Sequence, residues 1–221
     1  MPKINVYLPD ELAESVKDMN IPVSAICQRA LEGSVKRIVA IRAFGIEDLR
    51  REKPPHLTDR VWKALQIAAE SAQGAELGTA HLLNGIVKEG ENLALDVLRA
   101  LDVEPRGLPS WIPADSGGKP GFSADGAAAL ELAVVESIAL GHNYVGCEHL
   151  LLGIVAEPDG RGGAELRELG VDIKGARRAV QTALAGIVHL KKQQQAAPDA
   201  AKVLEMIMTR LARLEQHAGI G

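Results

Sequence analysis

The residues best equipped for chemistry gather in one short stretch, Gly141-His142-Asn143-Tyr144-Val145-Gly146-Cys147-Glu148-His149. A thiol, a carboxylate and two imidazoles this close raise metal binding first. Cys147 and His149 flank Glu148, however, so on a helix they diverge, unlike the i, i+4 pairs that share a face. No metal and no cofactor are expected here, and the histidines read as packing or polar surface. Neither a Gly-x-Ser-x-Gly elbow nor an HExxH helix occurs, so an enzyme has no residues to name. The one stretch reminiscent of a phosphate-gripping loop, Gly117-Gly118-Lys119-Pro120, lacks the spacing and the following hydroxyl, and reads as a linker.

The elements that must position these residues are helical. At 221 residues the chain is 47% hydrophobic but only 3% aromatic, so its core must come from Leu, Ile, Val and Ala on stripes of helical period. Three stretches interrupt the periodicity: 51–56 (REKPPH), 104–121 (EPRGLPSWIPADSGGKPG) and 191–198 (KKQQQAAP). The organisation predicted from them is an N-terminal unit at 1–50, a repeat pair at 57–185 and a C-terminal amphipathic helix at 199–217. That helix carries Leu204, Ile207, Leu211 and Leu214 at 3–4 spacing.

The middle of the chain repeats itself. Leu57-Thr58 answers to Phe122-Ser123, GTAHLLNGIV at 78–87 to GCEHLLLGIV at 146–155, and VLRALDV at 97–103 to ELRELGV at 165–171. Order and spacing hold apart from a shorter link before Gly78, so one supersecondary unit is used twice, at 57–103 and 122–185. In each copy a Ser or Thr cap opens the first helix and a small residue after a Gly opens the second. The expected fold is mainly α, a pseudo-twofold pair of small bundles.

At GHNYVGCEHLLLGIV, residues 141–155, the repeat resembles the signature of the Clp N-terminal domain, nearest the ClpC branch, over about residues 57–185. That resemblance implies a double repeat of four-helix units that receives substrates and adaptors for an attached ATPase. It further implies phosphoarginine recognition by a Thr hydroxyl and a Glu carboxylate in each repeat. Ser123 and Glu148 fill the two roles in the second repeat. The first has Thr58 for the hydroxyl but Ala80 where the carboxylate belongs, so one competent site is expected. The chemistry is consistent: a phosphate suits a helix N-terminus and a guanidinium suits a carboxylate. The same residues also serve as an ordinary N-cap and first-turn acid that bind nothing. Leu57 and Phe122, at matching helix starts, mark a second surface, where the family binds adaptors and cyclic peptides; an aromatic there is equally a core residue.

Residues 4–8 alternate, with Ile4, Val6 and Leu8 on one face and Lys3, Asn5 and Tyr7 on the other, and a helix should begin at Pro9-Asp10. After a break at Asn20-Ile21-Pro22 a second helix follows, with Ser24 near its start. This strand-helix-helix order resembles the ribbon-helix-helix family of DNA-binding proteins, which are homodimers. The resemblance implies Lys3, Asn5 and Tyr7 on base edges and Ser24 near a phosphate. Charge supports this weakly: in residues 1–42, Lys3, Lys17, Arg29, Lys36, Arg37 and Arg42 stand against Asp10, Glu11, Glu14, Asp18 and Glu32, and the whole chain carries −4.

The expected function is a non-catalytic Clp-type protein that binds phosphoarginine-marked proteins, adaptors or Clp-targeting peptides, and represses transcription in response through residues 1–42. The alternative is an adaptor or decoy for a ClpC unfoldase that leaves DNA alone. Two well-separated cysteines, Cys27 and Cys147, no apolar run of membrane-spanning length and no signal-peptide start lead to the expectation of a cytoplasmic protein.

Overall fold

The computed structural model describes residues 5–109, apart from 52 and 55, and 121–218, without the side chains of 50, 187–203, 212, 216 and 218. Nine α-helices and one two-stranded sheet order the described residues. The first repeat holds α3 (Asp59–Ala72), β1 (Glu76–Leu77), α4 (Thr79–Glu89) and α5 (Leu93–Ala100). The second holds β2 (Gly121–Phe122), α6 (Ala124–Ala139), α7 (Cys147–Ala156), α8 (Arg161–Glu168) and the start of α9 (Ile173–Ala218). Ahead of both lie α1 (Asp10–Asp18), α2 (Val23–Arg42) and a 3-10 turn at Asp48–Arg50.

Each local choice follows from residue type. Thr58 and Ser123 cap α3 and α6, their hydroxyls accepting from the backbone N–H of Val61 and Gly126 at 3.3 Å. Gly78 and Gly146 open α4 and α7; there the third helical residue, His81 or His149, reaches back to accept the glycine N–H, at 3.2 and 2.9 Å. The turn after each third helix is left-handed: Asp102 has φ 59° and the matching Gly170 has φ 88°. Glycine takes this conformation freely and Asp is among the few other residues that tolerate it.

The repeats are interlaced. β1 pairs in parallel with β2, matching Leu77 with Phe122, and a parallel bridge joins Leu57 to Val145. Each partner set crosses from one repeat to the other. The start of the first helix in either repeat therefore lies beside the start of the second helix in its neighbour. Leu65, Leu82, Leu83, Ile86 and Leu98 from one repeat and Leu150, Leu151, Leu152, Ile154 and Leu166 from the other fill a single core, all fully buried.

Two expectations change. Residues 5–9 carry no strand, because a lone segment has no neighbour to complete its ladder; only the two helices of the strand-helix-helix order form. Residues 199–217 are not a separate helix: α9 runs through the predicted break at 191–198 to Ala218. Lys, Gln and Ala are helix formers, so Pro198 alone argued for the break. The N-terminal unit packs on the repeats. Ile41, Phe44 and Leu49 join the core, and Arg42 pairs with Glu131 of α6 through two hydrogen bonds of 2.9 and 3.1 Å.

Candidate functional site

The interlacing decides which residues can meet. The Thr58 N–H donates to Val145 O at 3.0 Å and the Val145 N–H to His56 O at 2.7 Å, so α3 and α7 start side by side. Thr58 and Glu148 consequently line one cavity of about 390 Å³ with Arg60, Glu91, Asn92, Leu93, Asp96, Tyr144 and Cys147. Ser123 lies elsewhere: its N–H donates to Leu77 O at 3.1 Å, beside the start of α4. Ser123 and Glu148, expected to act together in the second repeat, therefore lie at different helix starts, and Thr58 of the first repeat is the hydroxyl residue that lines a cavity with Glu148.

Glu148 is 5% exposed. Burial pushes its carboxyl above the ordinary range, although its own backbone N–H and the Tyr144 hydroxyl hydrogen-bond to it. The carboxyl group folds back over Gly146, where a Cβ would stand 2.3 Å from its oxygens, so any larger residue at that cap would displace the Glu148 side chain from this position. His149 Nδ1 approaches Glu148 to 3.4 Å without forming an ion pair. Burial and the neighbouring His142 hold His149 neutral, its pKa lowered to about 3. Its Nδ1 accepts from Gly146, which leaves Nε2–H to donate to His142 Nδ1 at 2.8 Å. These histidines cap and brace α7, and among the described residues no group of side chains is arranged to hold a metal. The Cys147 thiol is buried and its pKa is raised, mainly by burial.

Across the cavity, Arg60 Nη1 lies 3.2 Å from Glu89 Oε1 and 3.3 Å from Glu91 Oε2. Asn92 is 4% exposed; its Nδ2 donates to Ile86 O and Glu89 Oε2, while its buried Oδ1 has no hydrogen-bond partner. The cavity thus offers helix N-termini and one guanidinium for an anion, and the carboxyl groups of Glu148, Glu91 and Asp96 for a cationic donor.

The other predicted residues separate. Leu57 is buried in the core at 3% exposure, and Phe122, half-buried, lies 6.1 Å between ring centroids from Phe44. Asn5, Tyr7 and Ser24 are exposed, and Lys3 lies outside the described residues. Arg60 and Asn92 escaped the sequence reading. Extending the repeat alignment two residues past Thr58 would have drawn attention to Arg60; Asn92 had no such signal, since α5 brings it in from outside the motif.

Residues 121–220 match the Clp repeat (R) N-terminal domain family. The negative regulator of genetic competence ClpC/MecB of Bacillus subtilis is 34% identical over 132 residues, which are 56% of this chain and 16% of that protein. The chloroplastic chaperone protein ClpC1 of Oryza sativa is 30% identical over 149 residues, 63% of this chain and 16% of the relative. The chain therefore spans only a small part of the length of the curated relatives it matches. Among solved structures, the N-terminal domain of the ClpV1 ATPase from E. coli is similar in fold, with TM-score 0.50 and 20% identity over 68% of this chain and 92% of that one.

Proposed function

From a chain that carries a Clp repeat N-terminal domain, we propose a non-catalytic binding function of Clp type, in which the cavity between Thr58 and Glu148 captures phosphoarginine on marked proteins. The observation that carries this is the pairing, in one pocket, of an anion-attracting end and a buried carboxylate that no Lys or Arg pairs among the described residues. A phosphoarginine side chain is a zwitterion of matching layout. Its phosphate takes the N-terminal end of α3 with Arg60, and its guanidinium takes Glu148. The acids around Arg60 disfavour a bare phosphate, which distinguishes this ligand from phosphoserine. The ribbon did not form, so DNA recognition is left out of this proposal, and the role is that of a substrate receiver or adaptor.

Calorimetry of the full chain with a phosphoarginine peptide, the same peptide carrying plain arginine, and a phosphoserine version tests it. Binding of the first alone is expected, weakened tenfold or more by Glu148→Gln and by Arg60→Ala, as loss of a charge-assisted contact predicts. Equal binding of plain arginine, or none of phosphoarginine, would sink the proposal.

A further inference from the structure

α9 carries an apolar stripe away from the repeats. Its first turns are packed: Ala176 and Val180 are fully buried, and Leu184 is partly buried against the core. Leu204 follows roughly 30 Å further along the same helix, at about 1.5 Å per residue. From there Leu204, Ile207, Leu211 and Leu214 are between 46% and 64% exposed, so no other described residue covers them. Their spacing of three, four and three residues is the a-d-a-d seam of a heptad, a pattern that buries itself against another helix.

The charges flanking the seam decide which helix fits it. With Leu204 at a, Arg210 falls at g and Glu215 at the following e. They lie on opposite sides of the seam and do not meet within one helix, where partners are three or four residues apart. In two parallel copies a g residue faces the next e residue of the other helix, so Arg210 meets Glu215 of the second copy, twice by symmetry. An antiparallel pair sets g against g and brings like charges together at Arg210. The charged residues from Leu204 to His217 are Glu205, Arg210, Arg213 and Glu215, which balance, so this helix has no field to draw it to nucleic acid or to an anionic membrane. A surface that carries both members of its own ion pair is self-complementary.

We propose that the α9 stripe from Leu204 to Leu214 docks, in parallel, on the same stripe of a second copy of this chain, with Arg210 and Glu215 fixing the direction. Association then comes from the C-terminal end of the chain rather than from residues 1–42. The seam is shorter than a self-standing coiled coil, so the pairing is weak and concentration-dependent. Its use rests on the Thr58–Glu148 reading: parallel helices carry both repeat pairs at one end, and two cavities in one assembly hold a doubly marked protein through effective concentration.

Sedimentation equilibrium of the full chain, from micromolar to submillimolar concentration at physiological salt, tests the docking. The mass should climb from one 23.5 kDa chain to at least two, and stay at one in Ile207→Lys, a change at an exposed position far from the core. Arg210→Glu or Glu215→Arg should each weaken association about fivefold, and the double variant should recover it, because only the contact between copies links the two positions. A single-chain mass throughout, association that survives Ile207→Lys, or a double variant no better than the single ones would overturn the inference. A peptide with two phosphoarginines should bind the wild-type chain more tightly than a peptide with one, and that gain should vanish in Ile207→Lys. If neither peptide binds, the Thr58–Glu148 function fails, and the mass measurement still decides the docking.

Discussion

At the scale of a single side chain, Glu148 allows the proposed binding role to be told from a structural one. Its carboxyl titrates above the ordinary range because burial opposes the charge. The folded state then holds that proton more tightly than the unfolded chain, so this group's contribution to stability falls as pH rises from the ordinary carboxyl range through the raised value. Glu148→Gln should therefore melt no lower than the wild-type chain at neutral pH, its advantage shrinking on acidification, while ligand affinity drops tenfold or more. A variant that loses both stability and binding would mean that Glu148 serves the fold. A guanidinium beside the carboxylate reverses the shift, so binding should strengthen with rising pH and level off once the free carboxyl is ionised, as calorimetry at several pH values would show. The neighbouring Cys147, buried and held as a thiol, should resist alkylation in the native chain while the partly exposed Cys27 reacts; mass spectrometry of the labelled protein distinguishes them.

At the scale of elements, the repeat is written in glycine as well as in leucine. Gly85 in α4 and Gly153 in α7 occupy the same place in GTAHLLNGIV and GCEHLLLGIV, and each meets the backbone of the first helix of its repeat. A Cβ would stand 2.1 Å from Ala64 O at the first and 2.2 Å from Ala129 O at the second. On helix propensity alone, Ala would add about 1 kcal/mol at either site. The contact predicts the opposite sign: Gly85→Ala or Gly153→Ala should destabilise by about 2 kcal/mol in denaturant unfolding, because the helix pair must separate. Stabilisation by either change would contradict the packing. The periodic elements, their caps and the double repeat were legible in the sequence because each is a local pattern. The partner of Glu148 was not: the crossing pairs Leu57–Val145 and Leu77–Phe122 join positions far apart in the chain, and an alignment of repeats naturally pairs residues within one copy.

For the whole molecule, the question is how α1 and α2 relate to the repeats. Alternation at residues 4–8 suggested a ribbon whose partner must come from a second chain, and that argument stops at what one chain can satisfy. The link that the structure adds is Phe44. Its ring lies 6.1 Å from both Trp62 of α3 and Phe122 of β2, next to the helix starts that carry Thr58 and Ser123. Arg37 also donates to His142 O at 3.0 Å, and Arg42 holds Glu131, so α2 is fixed along its C-terminal half, whereas Ile26, Leu31, Val35 and Val39 remain exposed. The exposed ion pair is screened by solvent and adds little, so apolar burial at Ile41, Phe44 and Leu49 must dominate. Phe44→Ala should then cost about 3 kcal/mol, a large part of a typical domain's stability. The loss should be local in the first instance: amide hydrogen exchange should quicken through Val23–Arg42 while the α4 and α7 cores keep their protection. Uniformly faster exchange would mean that α2 is part of one cooperative unit with the repeats, and unchanged exchange in α2 would mean that Phe44 does not anchor it.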